Sequence, residues 1–143
     1  MADEQSISRG RWFWPIVLAF TIFHASGQGA VAAPDIVSID KVGHFGVFGL
    51  LATLIARTQP SSRWWIGVLV ASLYGICDEF RQSLTPGRSV EFADWVADTA
   101  GAAFAVTVYA KWGLYRRLME TKFWGRAPAQ VAKGNLPVRK SEG

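Results

Sequence analysis

A single cysteine, Cys77, rules out an intrachain disulfide and a cysteine-rich metal centre in this chain of 143 residues. On its own it reads as a small buried hydrophobe. Other signals are missing as well. No nucleic-acid module surrounds the basic residues, so the net charge of +4 does not point to DNA or RNA. No internal repeat of the transporter kind is present. Gly43, Gly46 and Gly49 form a GxxGxxG, but no strand precedes it, which excludes a phosphate loop. His24 and Ser26 sit in FHASG without an oxyanion motif, and a polar pair near a helix end explains them better than a serine hydrolase does.

What the chain does have is apolar sequence. Half of it is hydrophobic, with seven Trp and nine Phe, and only 18% is charged. Four apolar stretches stand out, at residues 12–30, 40–57, 64–79 and 92–112, separated by short polar or breaker segments such as Thr85-Pro86-Gly87. The first approaches the ~20 residues that a bilayer crossing needs, and the second is short, with end charges that can snorkel to the interface. Pro15 falls in a first helical turn, where it is tolerated. The glycines every three residues from Gly43 to Gly49, and Gly101-Ala102-Ala103, keep helix faces slim for close approach. These features predict an all-α fold: an integral membrane bundle of four transmembrane helices over 12–112. A short N-terminus (1–11) precedes it and a basic, partly disordered tail (113–143) follows. Within that tail, residues 112–123 have the spacing of an interfacial helix, with a solvated stretch as the alternative. Residues 12–32 also fit a cleaved signal peptide, with Ala30-Val31-Ala32 as the site, but retention of the span is the expectation.

The placement of basic residues then sets the orientation. With an even number of spans, the two termini and the 57–63 turn share one side, and that side carries twelve of the fifteen Lys and Arg. It is therefore cytoplasmic, giving an N-in/C-in protein of the bacterial cytoplasmic membrane. Trp12, Trp14, Trp64, Trp65 and Trp112 fall at that interface. The acids do the opposite. Asp35, Asp40, Asp78, Glu79, Glu91, Asp94 and Asp98 all belong to the outer half, brought there by three different helix ends.

That convergence marks the candidate site, because ionisable groups at membrane depth are costly. Asp40 and His44, Asp78 and Gln82, and Asp94 and Asp98 are each one helical turn apart and share a helix face. Close carboxylates cannot all ionise cheaply in a low dielectric, so at least one is expected to hold its proton. An ionised acid beside a protonated one suits general acid–base chemistry. Lys41, His44, Arg81 and Arg88 are the available counter-charges, and the fork of Arg88 suits a phosphate or carboxylate. A divalent cation among Asp78, Glu79, Asp94 and Asp98, with His44 adding a nitrogen, is conceivable chemistry. No ligand spacing supports it, and neither a metal nor a cofactor is expected.

The residues Asp40-Lys41-x-x-His44-Phe45, Tyr74-Gly75-x-x-Asp78-Glu79-x-x-Gln82, Pro86-Gly87-Arg88, Asp94 and Asp98-x-x-Gly101 together resemble the VanZ-like family of small bacterial membrane proteins. Phe48 stands where an aromatic with a hydroxyl is common in that family, and Asp98 where Asn is frequent. The family's founding member is associated with low-level resistance to the lipoglycopeptide teicoplanin. The resemblance thus implies an envelope role without a reaction. As an expectation, His44, Asp78, Glu79 and Asp94 handle protons, while Arg88, Gln82, Asp98, Asp40 and Lys41 hold a lipid-linked or anionic envelope ligand. A non-enzymatic partner of another envelope protein fits the same residues equally well, and membrane lipid is a partner on either reading.

Overall fold

A computed structural model of the chain describes residues 10–28, 37–86 and 89–120, with side chains in the second helix described from residue 41 onward. The described residues contain helices and no strand. In chain order these are α1 (Phe13–Ser26), α2 (Val37–Ala56), a 3-10 turn (Ser61–Arg63), α3 (Trp65–Ser83), α4 (Phe92–Lys111) and α5 (Gly113–Glu120). The four apolar stretches correspond to α1–α4. Helix α1 ends earlier than expected, at Ser26, and α3 runs on to Ser83. Signal-peptide cleavage after Ala32, Arg88 and the tail beyond 120 lie outside the described residues.

Local chemistry sets the boundaries. After α2, Thr58 Oγ1 donates to Ile55 O at 2.7 Å, and Pro60 then blocks continuation before the 3-10 turn. Past Ser83, the N–H groups of Leu84 and Thr85 return to Arg81 O and Gln82 O, closing α3 ahead of Pro86. The start of α4 is capped from another helix: Glu91 N–H donates to Glu79 Oε2 of α3 at 2.9 Å. Trp112 leaves helical geometry (φ −102°, ψ 104°) and separates α4 from α5.

The helices run up, down, up and down. Lys41 near the start of α2 reaches Asp94 near the start of α4, so those two are parallel neighbours. Helix α3 runs antiparallel to both, and α1 lies alongside it, with Tyr74 Oη donating to Ala19 O at 2.7 Å. Arg81 closes the far end of α1, donating from Nε to Phe23 O at 2.8 Å with its guanidinium 3.8 Å over the Phe23 ring. This favours the negative end of the α1 dipole. It also removes Arg81 from the group of counter-charges facing the acids.

The core is built from small residues with a few large ones among them. Ala52, Ala56, Ala71 and Ala102 are buried beside Phe48, Leu51, Ile55 and Val106. Close approach rests on particular glycines. A Cβ at Gly101 would run into the Phe45 carbonyl, and one at Gly67 into the Ala52 carbonyl. Of the GxxGxxG, only Gly49 has this role, facing Gly101 across the α2–α4 contact. Gly43 and Gly46 have nothing within 4 Å, which corrects the expectation of one slim face. The reason is rotation: at ~100° per residue, positions three apart drift steadily around the helix, so three such glycines cannot all meet one neighbour. Cys77 is likewise exposed rather than buried, because Asp78 and Glu79 take the inward positions of that turn.

Helix α5 folds back on the bundle. Tyr115 and Met119 pack against the core, and Glu120 reaches Arg11 and Tyr109. The stretch thus has a packed face, while Leu114 and Leu118 stay exposed.

No helix among the described residues is long and apolar enough to cross a membrane. Helix α1 has 14 residues. The longer helices are interrupted by charge: Asp40 and Lys41 in α2, Asp78, Glu79 and Arg81 in α3, and Asp94, Asp98 and Lys111 in α4.

Candidate functional site

The acids that interrupt α3 and α4 meet Lys41 and His44 of α2 at one end of the bundle, while Arg81 turns to α1 and Lys111 lies at the opposite end. Asp78, Glu79, Gln82, Asp94 and Asp98 are all at most 6% exposed. Helical spacing puts them there. Asp78 and Gln82 lie one turn apart on the face of α3 that looks inward, and Asp94 and Asp98 do the same on α4. Helix α2 adds Lys41 and His44.

Three linked arrangements result. Lys41 Nζ donates to Asp94 Oδ1 at 2.6 Å and to Glu91 Oε2 at 3.2 Å. His44 Nδ1 lies 2.9 Å from Asp98 Oδ1, and its ring stacks on Phe48 with centroids 6.1 Å apart and planes 6° from parallel. Gln82 Nε2 donates to Asp78 Oδ2 at 2.9 Å. Glu79 bridges the helices by accepting the Glu91 N–H, and ligand atoms of His44, Glu79 and Asp98 all lie within 4.8 Å of one another. Among the described residues, those three are the ones placed to hold a metal ion, should one bind. Their spacing escapes sequence inspection because each comes from a different helix.

The backbone makes room for this. Gly75 of α3 passes directly against Asp98; a Cβ there would stand 2.8 Å from Asp98 Oδ2. Deeper in, Ser72 Oγ and Thr99 Oγ1 pair at 2.8 Å, and Trp95 Nε1 donates to Ser72 O. These contacts fix the rotation of α3 against α4 and so aim both acid pairs at the same space.

Three buried carboxylate oxygens nevertheless have no hydrogen-bond partner: Asp78 Oδ1, Glu79 Oε1 and Asp98 Oδ2. Buried polar atoms are nearly always paired, so each exception needs an explanation.

Of the residues expected to form the site, His44, Asp78, Glu79, Gln82, Asp94, Asp98 and Lys41 are at this end. The Asp40 side chain and Arg88 lie outside what is described. Glu91 is the participant that sequence reasoning missed. It counted only as an outer acid, yet it supplies both a backbone donor for Glu79 and a carboxylate for Lys41.

The family model for VanZ/LLP1 matches residues 4–115, covering the whole of this constellation. The chain belongs to the VanZ/LLP1 family. The VanZ-like motifs from Asp40 to Gly101 therefore reflect kinship, and in this VanZ-family chain Lys41, His44, Gly75, Asp78, Glu79, Gln82, Asp94, Asp98 and Gly101 of those motifs make the contacts just described. No curated protein and no solved structure matches the chain.

Proposed function

We propose that this VanZ-family chain is a multi-pass protein of the bacterial cytoplasmic membrane. Its polar cluster, at the extracytoplasmic end of the bundle, binds or acts on an amphiphilic, lipid-linked envelope ligand. The membrane part is supported by an inverted distribution of residues. Phe20, Phe80, Phe92 and Phe104 are 62–71% exposed, and Ile16, Val42 and Leu84 are similarly bare, whereas four acids are buried. A water-soluble fold does the reverse, and an exposed apolar surface this extensive needs a cover. The four buried acids that break the apolar stretches lie against neighbouring helices, which is how charge is accommodated within a bilayer.

The observation that carries the functional part is the set of three unpartnered carboxylate oxygens. A polar network kept only for architecture satisfies its members, since each unsatisfied one costs stability. In this reading the free oxygens of Asp78, Glu79 and Asp98 are acceptors held ready for a ligand. The His44–Asp98 contact and Glu79 move its protons, while Asp94 is neutralised by Lys41. Gln82, Asp40, Lys41 and Arg88 orient the ligand, Arg88 taking an anionic head group. Glycopeptide susceptibility of a host whose envelope admits such drugs is the natural readout, given the family's association.

The test compares Glu79→Gln, Asp78→Asn and His44→Gln for activity and thermal stability side by side. Glu79→Gln keeps volume and the acceptor for Glu91 N–H while removing charge. Loss of activity with unchanged unfolding temperature is the expected result. Parallel loss of both would reduce the cluster to architecture and leave a role as a partner of another envelope protein.

A further inference from the structure

At the other end of the bundle, remote from the acids, lies a cavity of about 480 Å³. Its walls come from Arg11 ahead of α1, the end of α2 and the turn after it, the 3-10 turn, the end of α4 and one face of α5. Its charged lining is Arg11, Arg57, Arg116 and Glu120, with Trp64 and Tyr109 as aromatic walls.

The donors here outnumber the acceptors. Glu120 is the one carboxylate of the lining: Arg11 Nη2 donates to its Oε2 at 2.7 Å and Tyr109 Oη to its Oε1 at 2.6 Å. Arg11 spends a second donor on Arg57 O at 2.8 Å. Arg57 itself stands 3.9 Å from Glu120, and its Nε is buried without a partner. Arg116 sits 5.9 Å over the Tyr109 ring, and among the described residues it makes no ion pair. Three guanidinium groups thus line a space with one carboxylate in its wall, a space of the size that small ligands occupy.

We propose that this cavity binds a phosphate-bearing anion, and that the Glu120 carboxylate holds a position that a phosphate oxygen takes in the bound state. Guanidinium forks match phosphate oxygens in pairs, and Arg57 Nε is a donor already stripped of water that only an acceptor satisfies. The volume exceeds that of a phosphate group, leaving room beside Trp64 for the first atoms of whatever carries it. Two sources share this chemistry: the head group of an anionic lipid and a soluble phosphate compound. The site is independent of the acidic cluster and of any activity there.

Glu120→Gln decides between a binding site and a tether for α5. The amide keeps an acceptor for Tyr109 and removes the competing charge. The full-length chain is titrated with inorganic phosphate in detergent by calorimetry. In parallel it is placed in nanodiscs of phosphatidylcholine with or without phosphatidylglycerol, and retained lipid is counted by native mass spectrometry. The proposal expects saturable binding of at least one probe. Glu120→Gln strengthens that binding, and Arg57→Gln weakens it roughly tenfold, as loss of one charged hydrogen bond requires. Arg116→Gln, at an exposed position, weakens it as well. Binding of phosphate assigns a soluble ligand; retention of phosphatidylglycerol alone assigns a lipid. If neither probe binds, or if Glu120→Gln lowers the unfolding temperature without changing binding, the arginines only tether α5 and the proposal fails.

Discussion

Replacing Gly101 by Ala should separate the two helices that carry His44 and Asp98. The added Cβ would lie 2.7 Å from Phe45 C and 2.8 Å from Phe45 Cα, besides meeting the carbonyl oxygen. Ordinary contact begins at 3.4 Å, so α2 and α4 must part by about 0.7 Å at least. All three obstacles are backbone atoms, and no rotamer change relieves them. A gap of that size forfeits a quarter to a half of the dispersion attraction along the seam, where Phe48, Ala52, Ala102 and Val106 are buried. Overpacking of this kind costs ~1–3 kcal/mol, against which Ala regains ~0.5–1 kcal/mol of helix propensity. The matched control is Gly43→Ala in α2, where nothing lies within 4 Å and only the propensity gain applies. Thermal unfolding in detergent should fall by roughly 3–10 °C for Gly101→Ala and stay level or rise for Gly43→Ala. Equal stability of the two variants would refute the Gly49–Gly101 contact and the placement of His44 beside Asp98.

Two smaller predictions test the periphery. Tyr74→Phe removes the hydrogen bond to Ala19 O, worth ~0.5–1.5 kcal/mol, and should speed amide exchange in α1 while leaving α4 protected; unchanged exchange in α1 would mean that the bond does not hold that helix. Cys77 should react with a small apolar maleimide in the folded, detergent-extracted protein, and reaction only after unfolding would return it to the interior.

Much of the architecture was legible because helix type follows from long apolar runs, and the break between α3 and α4 follows from Thr85-Pro86-Gly87. The acid pairs were legible too, since spacing by four places Asp78 with Gln82 and Asp94 with Asp98 on single faces whatever the fold. What spacing cannot supply is which face looks inward. Cys77 and Asp78 are adjacent, and only packing decides that Asp78 turns in and Cys77 out. The same limit applies to Gly43 and Gly46, which look like Gly49 in sequence and differ only in having no neighbour. Glu91 contributes through its backbone N–H, a group that every residue but proline owns, so nothing in the sequence marks it. The return of α5 onto Arg11 was hidden because its basic residues read equally well as a solvated tail, and the single acid that anchors it, Glu120, has Arg116 and Arg117 close by in sequence yet bonds to Arg11, 109 positions away.

The central claim is that the buried acids open on the extracytoplasmic face of a membrane bundle. Single cysteines at Val90, exposed in the segment before α4, and at Ser61, exposed at the opposite end, test it most directly in a chain carrying Cys77→Ser. A membrane-impermeant thiol reagent applied to intact cells, or to spheroplasts where an outer membrane intervenes, should label Val90→Cys. It should spare Ser61→Cys until the cells are broken. Labelling of Ser61→Cys alone would place the acids on the cytoplasmic side, and recovery of the chain in the wash rather than in the membranes, with both cysteines equally labelled there, would remove it from the bilayer altogether.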